Sequence, residues 1–218
     1  MTAALKSSVR PASRCAARSA ARASLSGSCS AFRASLRMRP SATVGPYLAI
    51  GLTWEGGELV VPPDTPGAIW LRGTVFDGNG DPIPDAMVET WQADPDGRFD
   101  HPDDPRGATR YPGFTGFGRS HTDSGEYAIC TLKPGRVPDG EGGLQAPHID
   151  LSLFARGLLD RVVTRIYFAD EAGANAEDAV LRDLPEDRRA TLLATPADDG
   201  YRFDVHLQGD RETVFFAV

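Results

Sequence analysis

Cysteine is scarce in this chain of 218 residues, which contains three copies. Cys15 and Cys29 lie in the first 40 residues, so Cys130 is the only cysteine of the remaining sequence. One thiol in the apolar stretch YAICTLKPG cannot build a disulfide framework, which favours a reducing compartment. The sequence also lacks an apolar run of about 18 residues and a hydrophobic signal core. We therefore expect a cytoplasmic protein without a membrane-spanning segment.

Acidic residues are missing from residues 1–40, which contain Lys6 and seven arginines and carry a charge of +8. The whole chain has 23 basic and 30 acidic residues, so residues 41–218 hold 15 bases against 30 acids, a net charge of −15. A body with this charge repels phosphates. The composition therefore argues against a nucleic-acid partner.

The first 40 residues differ from the rest of the chain in composition. They are rich in alanine, serine and arginine. This composition matches an organelle transit peptide, but it is also compatible with a misplaced start, because Met38 stands just ahead of the segment RPSATVGPYLAIGL. On either interpretation we expect residues 1–40 to be a disordered leader and residues 41–218 to form one domain.

Short apolar segments separated by turns dominate the body of the chain, which has 23 glycines and 17 prolines in total. Apolar and polar side chains alternate over residues 201–208, which predicts a strand with one buried face. Residues 68–97 are interpreted as strand, tight turn and strand, and residues 118–135 as a second hairpin. Residues 171–195 are predicted to be helical, with an interruption at Pro185. The pattern predicts a mainly β protein, an antiparallel β-sandwich of about seven to nine strands with one short helical region late in the chain.

Two motifs that suggest chemistry fail on inspection. Asp77, Asn79 and Asp81 begin like a calcium loop, but proline and valine occupy the positions that require glycine and glutamate, so a turn is the better interpretation. His148, Asp150 and Ser152 contain the residue types of a hydrolase triad. All three lie on one predicted strand, whereas a triad needs groups that converge from separate elements.

His148 and Asp150 stand two residues apart in the apolar stretch LQAPHIDLSLFARG. In an extended strand these side chains leave the same face, and an imidazole beside a carboxylate resembles half of a metal site. Arg156 lies in the same stretch, before a glycine that permits a sharp turn. Its residue type suits either a structural salt bridge or an anion clamp, and the sequence leaves both open.

The order of several segments resembles that of the intradiol ring-cleaving dioxygenases. The matching segments are TVGPYLAIG, GTVFDGNGDPIPDAMVETWQADPDGRF, GFGRSHTDSGEYAICTLKPG, APHIDLSLFARGLLDRVVTRIYFAD and YRFDVHLQGDRETVFF. The resemblance runs from about residue 41 to the end of the chain. It implies a ferric ion, held in the family's catalytic chains by two tyrosines and two histidines.

Three of these four metal ligands are absent here. By resemblance, Phe99 stands at the first tyrosine, Val137 at the second, and Asp150 at the second histidine of the H-x-H pair, of which His148 is the first. A phenyl ring and an isopropyl group carry no donor atom. The resemblance therefore implies that this chain binds no metal and has no catalytic residue of its own, and that His148 and Asp150 are a hydrogen-bonded remnant inside the fold.

This pattern is similar to the alpha-type subunit of the heteromeric members, which act on protocatechuate, a catechol that carries a carboxylate. The resemblance implies a homologous beta subunit that holds Fe(III) and an active site at the interface of the two chains. The part contributed by this chain would be a substrate-binding wall, with no catalytic group. That wall comprises Thr43, Gly45, Pro46, Tyr47 and Arg156. The alternative is a β-sandwich binding module that kept the fold and lost all chemistry.

Overall fold

The computed structural model describes residues 51–140 and 142–217, and this part of the chain is built mainly from strands. It contains ten strands, of which two are only two residues long. The strands are β1 Ala68–Gly73, β2 Val75–Phe76, β3 Met87–Trp91, β4 Phe117–His121, β5 Tyr127–Leu132, β6 His148–Phe154, β7 Val162–Phe168, β8 Leu193–Ala197, β9 Gly200–Arg202 and β10 Val205–His206.

Three short helices lie between β7 and β8, as expected for the late helical region. They are α1 Ala172–Glu177, α2 Ala179–Arg182 and α3 Glu186–Ala190. The side chain of Asp178 accepts hydrogen bonds from the first amides of α2, and Pro185 precedes α3, where its fixed φ favours a helix start. The prediction of helix up to residue 195 is wrong at its end, because β8 begins at Leu193 and pairs with β7 and β9. No helix within the described ranges is long and apolar enough to cross a membrane.

Eight strands follow one another in the order β4-β3-β6-β7-β8-β9-β1-β5. These strands form two layers, one with β4, β3, β6 and β7 and the other with β8, β9, β1 and β5. A short parallel pairing between β7 and β8 joins the two layers. The buried core combines side chains from both layers, such as Leu71 and Ile129 from one and Val88, Leu151 and Ile166 from the other. Most neighbours are antiparallel; β1–β9 and the small β2–β10 sheet are parallel. The prediction of an antiparallel β-sandwich is confirmed in its main features, but the described residues form ten strands rather than about seven to nine, because β2 and β10 are two-residue strands that the sequence pattern does not separate from their neighbours.

The two predicted hairpins are wrong in their pairing. After β2, the amide of Gly80 donates to the carbonyl of Asp77 at 3.1 Å in a tight turn, and the amide of Ile83 then donates to the carbonyl of Val75 at 2.8 Å. The chain then crosses to the other layer, where β3 pairs with β4 and β6. Likewise β4 pairs with β3 while β5 pairs with β1. The turns were recognisable from their residues, but the strands that they join bury their apolar faces from opposite sides of the core.

The alternation over residues 201–208 is confirmed, although it spans two strands. Tyr201, Phe203 and Val205 are buried, while Arg202 and Asp204 are partly exposed. The break between β9 and β10 lies beside Thr74, which separates β1 from β2. A carboxylate oxygen of Asp204 accepts the hydrogen bond of the Thr74 amide at 2.9 Å, so a side chain replaces the backbone partner at this point.

Candidate functional site

His148 and Asp150 project from one face of β6, at the start of that strand. His148 is 7% exposed, and its Nδ1–H donates to the carbonyl of Ala146 at 2.8 Å. This bond selects the tautomer in which Nε2 carries the lone pair. Burial, and then the neighbouring Arg165 guanidinium, lower the pKa of His148, which favours the neutral imidazole.

Asp150 is bonded to an arginine rather than to its histidine neighbour. The register of β6 and β7 places Arg165 opposite Asp150. The Nε of Arg165 donates to Oδ1 of Asp150 at 2.9 Å, and its Nη1 donates to Oε1 of Gln145 at 2.8 Å. Although burial works in the opposite direction, the Asp150 carboxylate raises the pKa of Arg165. The carboxylate is therefore already paired with a permanent cation.

Phe99 and Val137 complete the set of positions that the resemblance singled out. The Phe99 ring stacks on Trp91 with centroids 5.9 Å apart and planes at 4°, and the guanidinium of Arg106 lies 5.7 Å from the Phe99 ring centroid. Val137 is buried, and its carbonyl accepts a hydrogen bond from the amide of Gln145 at 2.8 Å. Both side chains serve packing here.

Arg156 lies beyond the other end of β6, in a turn that Gly157 completes with a φ of +91°. Its Nε lies 3.0 Å from Oδ2 of Asp85, and 72% of its side chain is exposed. Because most of this side chain is exposed, its guanidinium can still donate hydrogen bonds to solvent or to a ligand. Both sequence interpretations of Arg156 therefore remain open: it forms a salt bridge, and it can also bind an anion.

The structure does not bring Arg156 and the remnant pair together. His148 begins β6, which ends at Phe154, two residues before Arg156. At about 3.3 Å per residue, the six residue steps of this strand correspond to roughly 20 Å. Arg156 therefore belongs to a different surface from His148 and Asp150. The other predicted wall residues, Thr43, Gly45, Pro46 and Tyr47, lie outside the described residues.

Comparison with known proteins identifies the family. The Dioxygenase family model matches residues 60–209. The alpha chain of protocatechuate 3,4-dioxygenase from Pseudomonas putida is 43% identical over 195 residues, which cover 81% of this chain and 94% of that protein. The chain belongs to the intradiol dioxygenase family. A protocatechuate 3,4-dioxygenase beta chain, from Burkholderia cepacia, is 36% identical over 152 residues, which cover 65% of this chain and 64% of that protein.

A solved relative agrees with the fold of this intradiol dioxygenase chain. The intradiol ring-cleavage dioxygenase from Tetranychus urticae superimposes with a TM-score of 0.52 at 19% identity, and the match covers 71% of this chain and 89% of that one. At this identity the likeness concerns the arrangement of the strands. The chemistry must be judged from the residues.

The residues of this intradiol dioxygenase chain do not fit the family's ferric ion. Fe(III) is a hard, highly charged cation that favours anionic oxygen ligands. Of the four positions, two carry hydrocarbon side chains, and the carboxylate of Asp150 is engaged by Arg165. Within residues 51–140 and 142–217, no three His, Cys, Asp or Glu side chains converge as metal ligands would. We derive no catalytic step from these positions.

Two partners of the remnant were missed in the sequence. Arg165 interrupts the apolar segment RVVTRIYFAD, and a lone arginine in such a strand is a signal for a partly buried ion pair. Asp178 accepts the Ala146 amide at 2.8 Å and the Tyr167 hydroxyl at 3.4 Å, which links the remnant to the cap of α2. No local pattern in the sequence indicates that second role.

Proposed function

We propose that this chain is the non-iron-binding alpha subunit of a heteromeric protocatechuate 3,4-dioxygenase. The assembled enzyme would cleave protocatechuate with O₂ to 3-carboxy-cis,cis-muconate, an oxidoreductase reaction of aromatic catabolism in the cytoplasm. The ferric ion that supplies this chemistry would be held by a homologous beta subunit. The functional unit of this chain would be the domain of residues 41–218, without the leader.

One observation carries the proposal. The chain is 43% identical to an alpha chain across 94% of that protein, and the side chains at the family's metal positions cannot hold iron. A chain that keeps the family sequence while lacking the metal ligands needs a partner for the reaction. The 36% identity to a beta chain indicates that such a partner would be homologous to it.

Arg156 would take part in binding the substrate. Protocatechuate is an anion, and a body with a net charge of −15 repels anions unless a local cation offsets the field. The exposed guanidinium of Arg156 supplies that cation, and charge-assisted hydrogen bonds to a carboxylate are strong. Its separation from His148 suits a surface that faces the partner's metal rather than the remnant in this chain.

The N-terminal segment would complete the wall. Gly45 and Pro46 suit a rigid turn whose backbone approaches the ligand closely. Thr43 and Tyr47 would add hydroxyl groups that can hydrogen-bond to the substrate. These four residues would shape the pocket, while the groups that react with the ring would belong to the beta subunit.

The proposal is tested by iron content and by the visible absorption that tyrosine ligands give to ferric ion. The full chain is purified alone, and then after co-expression with its candidate beta subunit; the beta subunit alone is the control. We expect a colourless, iron-free chain that joins a coloured, active complex. Stoichiometric iron and colour in the isolated chain, or failure to form any complex with the beta subunit, would contradict the proposal.

A further inference from the structure

The guanidinium of Arg165 is bonded to one of the former metal-ligand positions. It bonds to the carboxylate of Asp150 at 2.9 Å and to the side chain of Gln145 at 2.8 Å. Gln145 is in turn bonded through its backbone to Val137. Arg165 therefore contacts one former ligand position directly and a second through one intervening residue.

A third former ligand position, His148, lies within the electrostatic reach of Arg165. His148 and Asp150 lie two residues apart on one face of β6, and Asp150 is bonded to Arg165. Nε2, the ring nitrogen that a metal would use, carries the lone pair because Nδ1–H is bonded to Ala146. His148 thus keeps the tautomer of a metal ligand, but the carboxylate next to it on that face is bonded to a fixed positive charge.

The guanidinium is also shielded from solvent. Only 16% of the Arg165 side chain is exposed, and its central carbon lies 6.0 Å from the centroid of the Phe216 ring. The guanidinium remains protonated at every physiological pH. In a partly buried site, a second cation near it would meet repulsion that water does not screen well.

We propose that Arg165 has taken the place of the metal ion in this site: its guanidinium supplies the positive charge that Asp150 and Gln145 surround, and it excludes a metal from His148. A metal bound at His148 would have to approach this guanidinium and compete with it for the oxygens of Asp150. The charge is covalently attached, so the start of β6 is held in place whether or not iron is available. This inference depends on the contacts of the remnant and not on the proposed partner.

The proposal is tested by restoring the missing histidine with and without Arg165. Asp150→His recreates the H-x-H spacing, which places two imidazoles on one face of β6. Arg165→Met removes the charge and keeps an unbranched apolar side chain of similar length. Binding of Ni²⁺ and Co²⁺ is measured by titration calorimetry and by the visible spectrum of Co²⁺ in D150H, in D150H/R165M and in the unaltered chain.

We expect D150H/R165M to bind either metal at least tenfold more tightly than D150H. His148→Ala in the D150H/R165M background should remove this binding. Any metal binding that remains in that variant measures the other sites of the chain. Equal affinity of D150H and D150H/R165M would overturn the proposal. Micromolar binding by D150H at His148 would overturn it too, and that measurement requires no change at Arg165. Arg165→Gln, which keeps a hydrogen-bonding group without charge, replaces R165M if the latter does not fold.

Discussion

Asp85 forms an ion pair with Arg156. The Nε of Arg156 lies 3.0 Å from the carboxylate of Asp85, and the described residues offer the terminal nitrogens of Arg156 no other partner. The ion pair orients the Arg156 side chain. Because 72% of that side chain stays exposed, the ion pair leaves most of it available to a substrate. An oriented guanidinium with free donors is suited to a carboxylate ligand.

Replacing Arg156 by alanine is expected to weaken substrate binding in the assembled enzyme. A charged hydrogen bond contributes about 1.5–3 kcal/mol, so the KM for protocatechuate should rise by about tenfold or more. Iron content should not change, because in the proposed enzyme every iron ligand belongs to the beta subunit. Steady-state kinetics and iron analysis of the complex test both statements.

Arg182→Ala is a matched control for the change of charge, because Arg182 is exposed on α2. It should leave the KM unaltered. Lysine at position 156 should recover part of the affinity, since it restores the charge without the planar fork. Loss of iron in R156A with unchanged substrate affinity would contradict the assigned role.

The sequence was sufficient to predict most of the strands, though not β8, and the outline of the remnant. The alternation in residues 201–208 and the spacing of His148 and Asp150 are local patterns, and local patterns determine which face of a strand is buried. The pairing of strands was not predictable in this way. Whether β3 follows β2 in one sheet or crosses to the other layer depends on how the whole core packs.

The role of Arg165 in the site could not be predicted from a local sequence pattern either. Fifteen residues separate it from Asp150, and only the register of β6 and β7 places the two side chains opposite each other. The resemblance to the family could identify which metal ligands are missing. It could not identify the residue that had replaced the ion, because that residue comes from a strand that contributes none of the four ligand positions.

Tyr127 forms a buried hydrogen bond from β5 to the break between β9 and β10, and its loss should destabilise the fold. Its hydroxyl donates to the carbonyl of Phe203 at 2.6 Å, and the side chain is fully buried. Tyr127→Phe leaves that carbonyl without this donor, at an expected cost of about 1–2 kcal/mol in the free energy of unfolding. Urea denaturation measures the loss. Tyr111→Phe, at a partly exposed ring, should change stability by less than about 0.5 kcal/mol, and equal losses in the two variants would argue against the bond.

Gly73 is required by the close approach of two backbone segments. A Cβ at this position would lie 1.8 Å from the carbonyl oxygen of Phe203 and 2.8 Å from the Tyr127 ring. Gly73→Ala should therefore cost about 3 kcal/mol or more, since neither the backbone nor a buried ring can move away cheaply. In α1, a Cβ on Gly173 meets no atom within 4 Å, so Gly173→Ala should raise stability by up to about 1 kcal/mol. Thermal unfolding of the two variants would reveal the opposite signs.

His206 should make stability depend on pH near neutrality. Its ring stacks on Phe76 with centroids 4.8 Å apart and borders an open groove of about 400 Å³ that Arg211 and Asp204 also line. Burial, and then Arg211, lower the pKa of His206, while Asp204 acts in the opposite direction. The unfolded chain therefore binds a proton at a higher pH than the folded chain does. Stability should fall as the pH decreases below about 7, because protonation favours the unfolded state there.

The variant His206→Gln isolates this contribution. His148 also has a lowered pKa and titrates in the same direction, but it is present in both proteins, so it cancels in the difference between them. Urea midpoints measured from pH 7.5 to pH 5.5 should decline less steeply in H206Q than in the unaltered chain. The difference should be small, because water in the open groove screens the charge of Arg211. Parallel declines would mean that His206 has the same pKa in the folded and unfolded states, and that the stacked ring is protonated without cost to the fold.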